Sequence, residues 1–377
     1  MVNTTKIWLS SPHLGLSEEI YVKDAFNSNW VAPVGANISS FENKLERFLE
    51  DDVNVVALSS GTSAIHLAMA ILGIGKGDEV LCQSFTFTAS ASPVLYQGAY
   101  PIFIDSEKET WNMSPDLLTK AIEERMSLGK KPKAIVPVAI YGMPYKVNEI
   151  REIADYYDIP IIEDSAEALG STFQGRKCGT FGDIGIFSFN GNKIVTTSGG
   201  GALVTRNIKV KEKASFLANH AQDDAPHYQH SSLGYNYGLS NILAGIGSGQ
   251  MEVLEDRIEA RRANFQFYRN TLSGISGLEF LEEPKGFYSN RWLTCVLFPC
   301  YSIREKVRKG LMEDNIESRP LMKPLHSQPM FKDCVSYTNG ISEDLFDRGL
   351  CLPSGSNLNT DDLNFITTQI IKLLNDD

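Results

Sequence analysis

The chain has 377 residues, enough for one large hydrophobic core and a second, smaller one. Hydrophobic residues make up 42% and charged residues 21%, so disorder is not expected to dominate. The formal net charge of -11 argues against nucleic acid or an anionic membrane as the main partner, yet it permits a local basic pocket for a small anion. Neither a leader segment nor an apolar run of ~18 residues is seen, so we expect a cytoplasmic protein. The six cysteines form no CxxC pair and no metal-type cluster, which favours free thiols and no metal site.

Short apolar strands alternate with amphipathic helices over the first two thirds of the chain, which predicts an α/β fold with a largely parallel sheet. Ser39 and Glu42 resemble a capping box at the start of a helix. The predicted strands are Val53–Leu58, Glu79–Cys82, Pro101–Ile104, Ala134–Ile140, Pro160–Glu163, Ile184–Ser188 and Ala202–Thr205. Predicted helices between them include Ser63–Leu72, Pro115–Arg125 and Val147–Tyr157.

The pattern changes after about Leu239. A long helical pattern covers Ile242–Leu272, a mixed segment covers Leu278–Leu297, and a final helix is predicted over Thr360–Leu374. These features predict two domains. Residues 1–245 would form an N-terminal arm and a large domain, and residues 246–377 a connecting helix and a smaller α+β domain.

The first motif that carries chemistry is ALSSGTSAIHLAMA, in which a strand leads through a polar turn into a helix. Backbone N–H groups at a helix N-terminus, helped by hydroxyl groups, bind phosphate. Gly61, Thr62 and Ser63 are the candidates here, with Ser188 as a further hydroxyl. The alternative is that Thr62 only caps the helix.

An aromatic residue follows the next strand, in QSFTFTASASP. Phe87 is the candidate for stacking on a flat cofactor ring. The usual fate of a phenylalanine is the hydrophobic core, so this alternative stays open.

The segment IPIIEDSAEALGS delivers Asp164 at the carboxyl end of an apolar strand. Ligands of open α/β sheets bind at that edge. A carboxylate there can pair with a protonated ring nitrogen and keep the ring an electron sink. Glu167, three residues further on, can approach the hydroxyl side of the same ring. The alternative is that Asp164 caps the following helix.

The segment GIFSFNGNKIVTTSGGG presents one lysine, Lys193, after a strand and before three glycines. A lysine in this place suits a nucleophile that forms an imine, since its amine must lose a proton and a neighbouring cation would favour that loss. The alternative is a surface lysine in a glycine-rich turn. The order of Asp164 and then Lys193, 29 residues later, carries more weight than either motif alone.

With these residues in this order, the chain resembles the sugar aminotransferases of fold-type I, which depend on pyridoxal 5'-phosphate (PLP) and act on nucleotide-linked keto-sugars (the DegT/StrS type). The resemblance runs from IWLSSPH to LCLPSGS. Its most specific stretches are EDSAEALGS, FSFNGNKIVTTSGGG, LGYNYGLSN and ESRPLMKPLH. It implies an aspartate aminotransferase-like fold, with a mostly parallel sheet in the large domain.

The resemblance also implies a role for individual residues. Lys193 would form the Schiff base and move the proton, Asp164 would hold the pyridine nitrogen, and Phe87 would stack on the ring. The phosphate would be held by Thr62, Ser188 and the backbone near Gly61. Asn236 would reach the phosphate of a neighbouring subunit, making the active unit a homodimer. The nucleotide end of the substrate would meet Arg319, Lys323 and His326, with Asn290 and Arg291 as further candidates.

Three positions depart from the common family pattern. Glu167 stands where many relatives have His or Gln, and Glu is seen in the branch that makes UDP-4-amino-4,6-dideoxy-N-acetylglucosamine, the bacillosamine precursor. Gly238 stands where Arg is usual, and Met322 where an aromatic residue is common.

The implied activity is transfer of an amino group from L-glutamate to a UDP-linked 4-keto-6-deoxy-N-acetylhexosamine at C4. The alternative is a dTDP- or GDP-linked keto-sugar aminated at C3 or C4. Two other classes compete. A PLP sugar dehydratase would, by resemblance, carry histidine in place of Lys193. A non-catalytic regulator on the same fold would not need to keep both Asp164 and Lys193.

Overall fold

The computed structural model describes residues 6–50 and 52–375. Its strands are β1 Asn54–Leu58, β2 Glu79–Gln83, β3 Tyr100–Ile104, β4 Ala134–Val136, β5 Ile162–Asp164, β6 Thr172–Phe173, β7 Arg176–Lys177, β8 Ile184–Ser188, β9 Gly201–Thr205, β10 Glu279–Phe280, β11 Phe287–Tyr288, β12 Thr294–Leu297, β13 Arg319–Pro320, β14 Ser336–Tyr337 and β15 Gly349–Leu352. Its helices are α1 Glu18–Asn27, α2 Ala36–Leu49, α3 Gly61–Ile71, α4 Ser92–Tyr96, α5 Pro115–Ser127, α6 Val147–Tyr157, α7 Ile208–Ala218, α8 Asn241–Glu252, α9 Leu254–Leu272, α10 Tyr301–Glu313, α11 Ile341–Arg348 and α12 Thr360–Asn375.

A large, mostly parallel sheet forms the centre of the protein. Its two halves have the strand orders β1-β9-β8-β5 and β4-β2-β3-β14. Parallel bridges from Ile135 to Ile161 and from Val138 to Asp164 join the halves beside β4 and β5. Strand β9 is antiparallel to both β1 and β8, so β1, β8 and β5 all run in the same direction. Their carboxyl ends therefore open on one edge of the sheet.

Apolar side chains cover both faces of this sheet, as expected for parallel strands. One core cluster contains Leu67 and Leu203, and another contains Ile104 and Ile150, all buried. Helix α3 packs against β8 and β9, which fixes its first turn near the carboxyl edge.

The C-terminal region forms a second, antiparallel sheet of order β10-β12-β15-β13. Its core includes Val296, Leu311 and Ile366. Strand β14 of the same region joins the outer edge of the large sheet by pairing with β3. Near the other end of the chain, Ile7 bridges to Ile316, so the N-terminal segment contacts the C-terminal region.

Several predicted elements are confirmed, among them Ile184–Ser188 and Val147–Tyr157 with the predicted bounds. The capping box at Ser39 and Glu42 is wrong, because the helix begins at Ala36 after Gly35, and Glu42 instead accepts a hydrogen bond from the Ala57 N–H. The long helical pattern is divided into α8 and α9 at Val253.

The proposed domain limit after residue 245 falls inside α8, which packs on α1 and α2. The division into two domains stays a prediction. Within the described residues, no helix is both long and apolar enough to cross a membrane.

Candidate active site

A cavity of about 470 Å³ lies at the carboxyl edge of β1, β5 and β8. Its remaining walls come from the C-terminal region, including Trp292, Arg319 and Cys351. Of the predicted site residues, the cavity is lined by Gly61, Thr62, Phe87, Asp164, Glu167, Ser188, Lys193 and Arg319. Residues separated by more than 250 positions thus meet at one place, where the fold offers a concave surface to a ligand.

The N-terminus of α3 forms one wall of this cavity. Ser60 caps the helix by accepting a hydrogen bond from the Ser63 N–H at 3.0 Å, and the Ser63 hydroxyl accepts one from the Ser60 N–H at 3.0 Å. The Ser63 hydroxyl is therefore engaged in the cap and does not line the cavity. Gly61 and Thr62 line it, and N–H groups in a first helical turn lack partners within the helix. This wall suits an anion.

Glycines allow the backbones around this wall to approach closely. A Cβ at Gly201 of β9 would lie 2.4 Å from the Ser60 carbonyl carbon. A Cβ at Gly61 would lie 3.0 Å from the Cβ of Ser188, which places the Ser188 side chain beside the helix N-terminus. Only a residue without a side chain lets β9 support the turn so closely.

The carboxylate of Asp164 lies at the end of β5 and is buried. It accepts hydrogen bonds from the Ser90 hydroxyl at 2.6 Å and from the Ala166 N–H at 3.1 Å. Burial raises the pKa of Asp164, and the hydrogen bonds and the Lys193 charge oppose that rise. A cation bound next to this carboxylate would keep it ionised.

The Lys193 amine lies 3.2 Å from the buried Glu167 carboxylate. The other oxygen of Glu167 accepts a hydrogen bond from the Tyr141 N–H at 2.7 Å. Burial raises the pKa of Glu167, while Lys193 and the Tyr141 N–H lower it. The amine thus faces a fixed acceptor inside the cavity, an arrangement suited to holding and moving a proton.

Two aromatic residues of the cavity wall, Trp292 and Tyr141, were missed by the sequence analysis. The Lys193 amine lies 4.0 Å from the centroid of the Trp292 ring, and Tyr141 stacks on that ring at 6.4 Å. Trp292 directly follows the pair Asn290 and Arg291 that the sequence did single out, so an aromatic residue in that segment was the available signal.

Phe87 and Arg319 lie at the open side of the cavity. Phe87 is 58% exposed, which leaves its ring face available to a bound molecule. The Arg319 guanidinium pairs with Glu317 at 2.9 Å and its side chain is 71% exposed. Because the side chain is so exposed, Arg319 could exchange Glu317 for an anionic ligand.

Other predicted residues are absent from the cavity lining. Asn290 is buried and binds backbone groups. Its side-chain amide donates hydrogen bonds to the carbonyls of Glu167 and Leu169 at 3.0 and 2.9 Å. Arg291 points away, donates to the Leu281 carbonyl and lines a separate cavity of about 190 Å³. Burial lowers the pKa of Arg291 to about 10.

The last three predicted residues also lie outside the lining. Lys323 is exposed. The His326 ring is engaged by the Ser84 hydroxyl at 2.6 Å and the Glu343 carboxylate at 2.7 Å. Asn236 is exposed on this chain and forms an antiparallel bridge with Asn219. Contacts of Lys323 and His326 with a substrate, and of Asn236 with the cofactor phosphate of a neighbouring subunit, stay predictions.

Fold and cavity together define a fold-type I PLP-dependent transferase. The aminotransferase TlmJ from Streptoalloteichus hindustanus superposes with a TM-score of 0.91 at 29% identity, covering 98% of this chain and 99% of that one. The model of the DegT/DnrJ/EryC1/StrS aminotransferase family matches residues 13–371, and the chain belongs to this family. It is a PLP-dependent sugar aminotransferase, which confirms the predicted fold class, cofactor and enzyme class.

Two curated relatives cover almost the whole chain. EpsN of Bacillus subtilis, whose assigned name is that of a pyridoxal phosphate-dependent aminotransferase, is 49% identical over 98% of this chain and 96% of its own length. A GDP-perosamine synthase of Escherichia coli is 36% identical over 97% of this chain and 98% of its own length.

The cavity residues fit the cofactor of this family. The helix N-terminus at Gly61 and Thr62 suits the phosphate of PLP. The buried carboxylate of Asp164 suits the ring nitrogen, and the Lys193 amine suits the aldehyde. Burial raises the pKa of Asp164, so a protonated ring nitrogen bound beside it would stabilise the ionised carboxylate.

Proposed function

We propose that this protein transfers an amino group from L-glutamate to C4 of a UDP-linked 4-keto-6-deoxy-N-acetylglucosamine, as a cytoplasmic homodimer. One observation carries the proposal: Lys193, Asp164, Glu167 and the N-terminus of α3 face a single cavity with Arg319 at its open side. The choice of UDP and C4 rests on the resemblance of SAEALGS, with Glu167, to the bacillosamine-precursor branch.

The residues would divide the work as follows. Gly61, Thr62 and Ser188 hold the cofactor phosphate, Asp164 pairs with its ring nitrogen, and Phe87 covers one ring face. Bound PLP supplies a ring that withdraws electrons from the carbon attached to the amine. Lys193 would take the proton from the α-carbon of the amino donor and deliver it to the cofactor carbon, and Glu167 would support the lysine amine at 3.2 Å.

Both substrates are anionic, which makes the charges at the open side important. Arg319 can bind a carboxylate or a diphosphate in bidentate fashion once it leaves Glu317. Glu317 accepts a hydrogen bond from the Leu9 N–H at 3.1 Å, and it can hold Arg319 in place while no substrate is bound.

A second candidate substrate is a GDP-linked keto-sugar. The specific observation in its favour is the 36% identity to a GDP-perosamine synthase over nearly the whole chain. Both candidates use the same cofactor site and differ in the nucleotide end of the substrate.

The deciding experiment compares kcat/KM for UDP-, dTDP- and GDP-linked keto-sugars with L-glutamate as donor. We expect the UDP series to be preferred, and NMR of the product to place the new amine at C4. A preference of more than about tenfold for a dTDP or GDP sugar, about 1.4 kcal/mol of transition-state binding, would overturn the choice of UDP.

A further inference from the structure

A carboxylate and an aromatic face of the cavity wall both lie close to the Lys193 amine. Its distance to the Trp292 ring centroid is 4.0 Å, and its distance to the Glu167 carboxylate is 3.2 Å. A cation over an indole face is attracted by the ring quadrupole, most strongly where water is excluded. Trp292 is buried and the Lys193 side chain is 13% exposed, so most of this contact is shielded from solvent.

The Trp292 ring is itself held to the turn that carries the lysine. Its indole N–H donates to the carbonyl of Asn192, the residue before Lys193, at 2.8 Å. Its backbone N–H donates to the Asn290 side chain at 2.9 Å, and its carbonyl accepts from the buried Arg261. The indole can therefore move little relative to the lysine.

The Tyr141 ring also lies beside Trp292, with 6.4 Å between the ring centroids and an angle of 15° between the planes. Tyr141 also donates its N–H to Glu167 at 2.7 Å. Two backbone angles in this network are unusual for residues with a side chain, φ of 54° at Tyr141 and 52° at Arg291. Strain of this kind persists where the surroundings enforce it, and it is concentrated at functional sites.

We propose that Trp292 is a positioning residue that holds the Lys193 amine against Glu167. The proposal rests on the proposed role of Lys193 as the proton-moving residue. Lysine has a long, flexible stem, and the cavity offers a competing carboxylate at Asp164. The indole face favours the position next to Glu167, which leaves Asp164 available to the cofactor ring.

The first test measures the lysine without any turnover. Cofactor-free protein is treated with a limiting amount of an amine-acylating reagent, and peptide mass mapping gives the labelling of Lys193 relative to the exposed Lys108. We expect Trp292→Leu to raise this ratio by about threefold or more, because the shielding cation–π contact is lost. Trp292→Phe keeps an aromatic face and should stay within about twofold of the natural protein. An unchanged ratio in Trp292→Leu overturns the proposal.

The second test needs no change at Trp292 and so does not depend on the folding of that variant. The protein is labelled with 5-fluorotryptophan, and the fluorine NMR signal of Trp292 is compared between the natural chain and Lys193→Met. We expect the Trp292 signal to shift by more than its linewidth. The signal of Trp8, which has its own lysine neighbour Lys6 at 3.8 Å from its ring, should not move. A Trp292 signal that does not respond to Lys193→Met overturns the proposal.

The third test asks whether the change at Trp292 affects kcat or KM in the holoenzyme. A positioning residue for the lysine should change turnover and leave substrate binding alone, so Trp292→Leu should lower kcat about tenfold with KM for L-glutamate nearly unchanged. A change in KM alone contradicts the proposal. Borohydride mapping that finds the cofactor on another lysine would refute the proposed function, whereas the labelling and NMR results report on the Trp292 contact independently.

Discussion

Three neighbouring carboxylates on the β5 segment are buried but have different partners. Glu163 accepts hydrogen bonds from the N–H groups of Gly179, Phe181 and Gly182 and from the Ser165 hydroxyl, so it ties a turn to the strand. Asp164 and Glu167 instead face the cavity. Burial raises the pKa of all three groups. The difference in partners separates a structural carboxylate from two that can meet a ligand.

Replacement of Lys193 by alanine should abolish transamination and leave the fold intact. The side chain lines the cavity, so its loss removes the amine without opening the core, and the lining formed by the described residues contains no second lysine to form the imine. The measurement is turnover with L-glutamate, with circular dichroism as the control for folding. In the natural protein, borohydride reduction should leave the pyridoxyl group on Lys193, and an adduct on a different lysine would contradict the assignment.

The pH dependence of stability should report on Asp164. A carboxyl group whose pKa is raised by folding stabilises the protein fully below its ordinary value of 3.8, and this contribution is lost as the pH rises through the folded-state pKa. Each unit of the rise corresponds to about 1.4 kcal/mol. In cofactor-free protein, Asp164→Asn should therefore make the free energy of unfolding depend less on pH above 4. At pH 8 the variant should be at least as stable as the natural protein, as measured by urea unfolding.

The same Asp164→Asn variant should bind PLP more weakly and turn over slowly, because the ring nitrogen loses its counter-charge. Breaking a buried charge pair on one side typically costs about 3–5 kcal/mol. Glu163→Gln is the matched control: it should destabilise the fold, since an amide N–H group would face backbone donors, without a specific change in the absorption spectrum of bound cofactor. Near-normal rates in Asp164→Asn would exclude its assigned role.

At the scale of elements, the contact between β9 and the first turn of α3 should decide cofactor affinity. A methyl group at Gly201 would meet the Ser60 carbonyl carbon at 2.4 Å, so the helix N-terminus must shift. We expect Gly201→Ala to destabilise the protein by about 1–3 kcal/mol and to weaken PLP binding. Fluorescence titration with PLP measures the second effect. Gly75→Ala, where no atom lies within 4 Å of the added carbon, should be nearly neutral.

The sequence predicts elements well where local signals agree and poorly where they conflict. Strand β8 is rich in apolar residues and is followed by the polar turn Asn190-Gly191-Asn192, and its bounds match. The strand expected over Ala134–Ile140 ends at Val136, since Pro137 has no N–H for a ladder and the chain then turns through Tyr141 with φ of 54°. The break between α8 and α9 has no proline or glycine beside it, so periodicity alone did not reveal it.

Site residues at strand ends were predictable, because the carboxyl ends of parallel strands lie along the same edge of the sheet. Asp164 is the last residue of β5, Thr62 and Lys193 come after β1 and β8, and all three line the cavity. Trp292 was not predictable in this way, since its contact with the Lys193 turn joins positions about 100 residues apart. Local patterns carry no information on which side of such a segment faces the cavity, and Arg291 illustrates this by pointing away.

At the scale of the whole molecule, both ends of the chain complete the site. Strand β14 extends the large sheet, Trp292 and Arg319 close the cavity, and Ile7 is anchored to Ile316 beside Glu317. The catalytic edge of the large sheet is thus covered by a region that folds on a different sheet.

The surface of the single chain also carries features expected of an assembly. Large apolar side chains are exposed in the N-terminal 35 residues, among them Leu16 at 93%, Val34 at 59% and Trp30 at 54%. Asn236, which by resemblance binds the cofactor phosphate, is exposed and lies outside the lining of its own cavity. Both observations support a homodimer in which Asn236 serves the partner's site.

Mixing two inactive variants should therefore restore activity. In a hybrid of Lys193→Ala and Asn236→Asp chains, one site combines the natural Lys193 of one chain with the natural Asn236 of the other, and the second site carries both changes. Random exchange of equal amounts makes half of the dimers hybrids, so about a quarter of the natural number of sites should be intact. The assay is turnover after subunit exchange, which mass spectrometry of differently tagged chains verifies. The control mixes each variant with itself under the same conditions. If exchange is complete and both parents are inactive, a mixture that stays inactive would show that the sites do not share these residues.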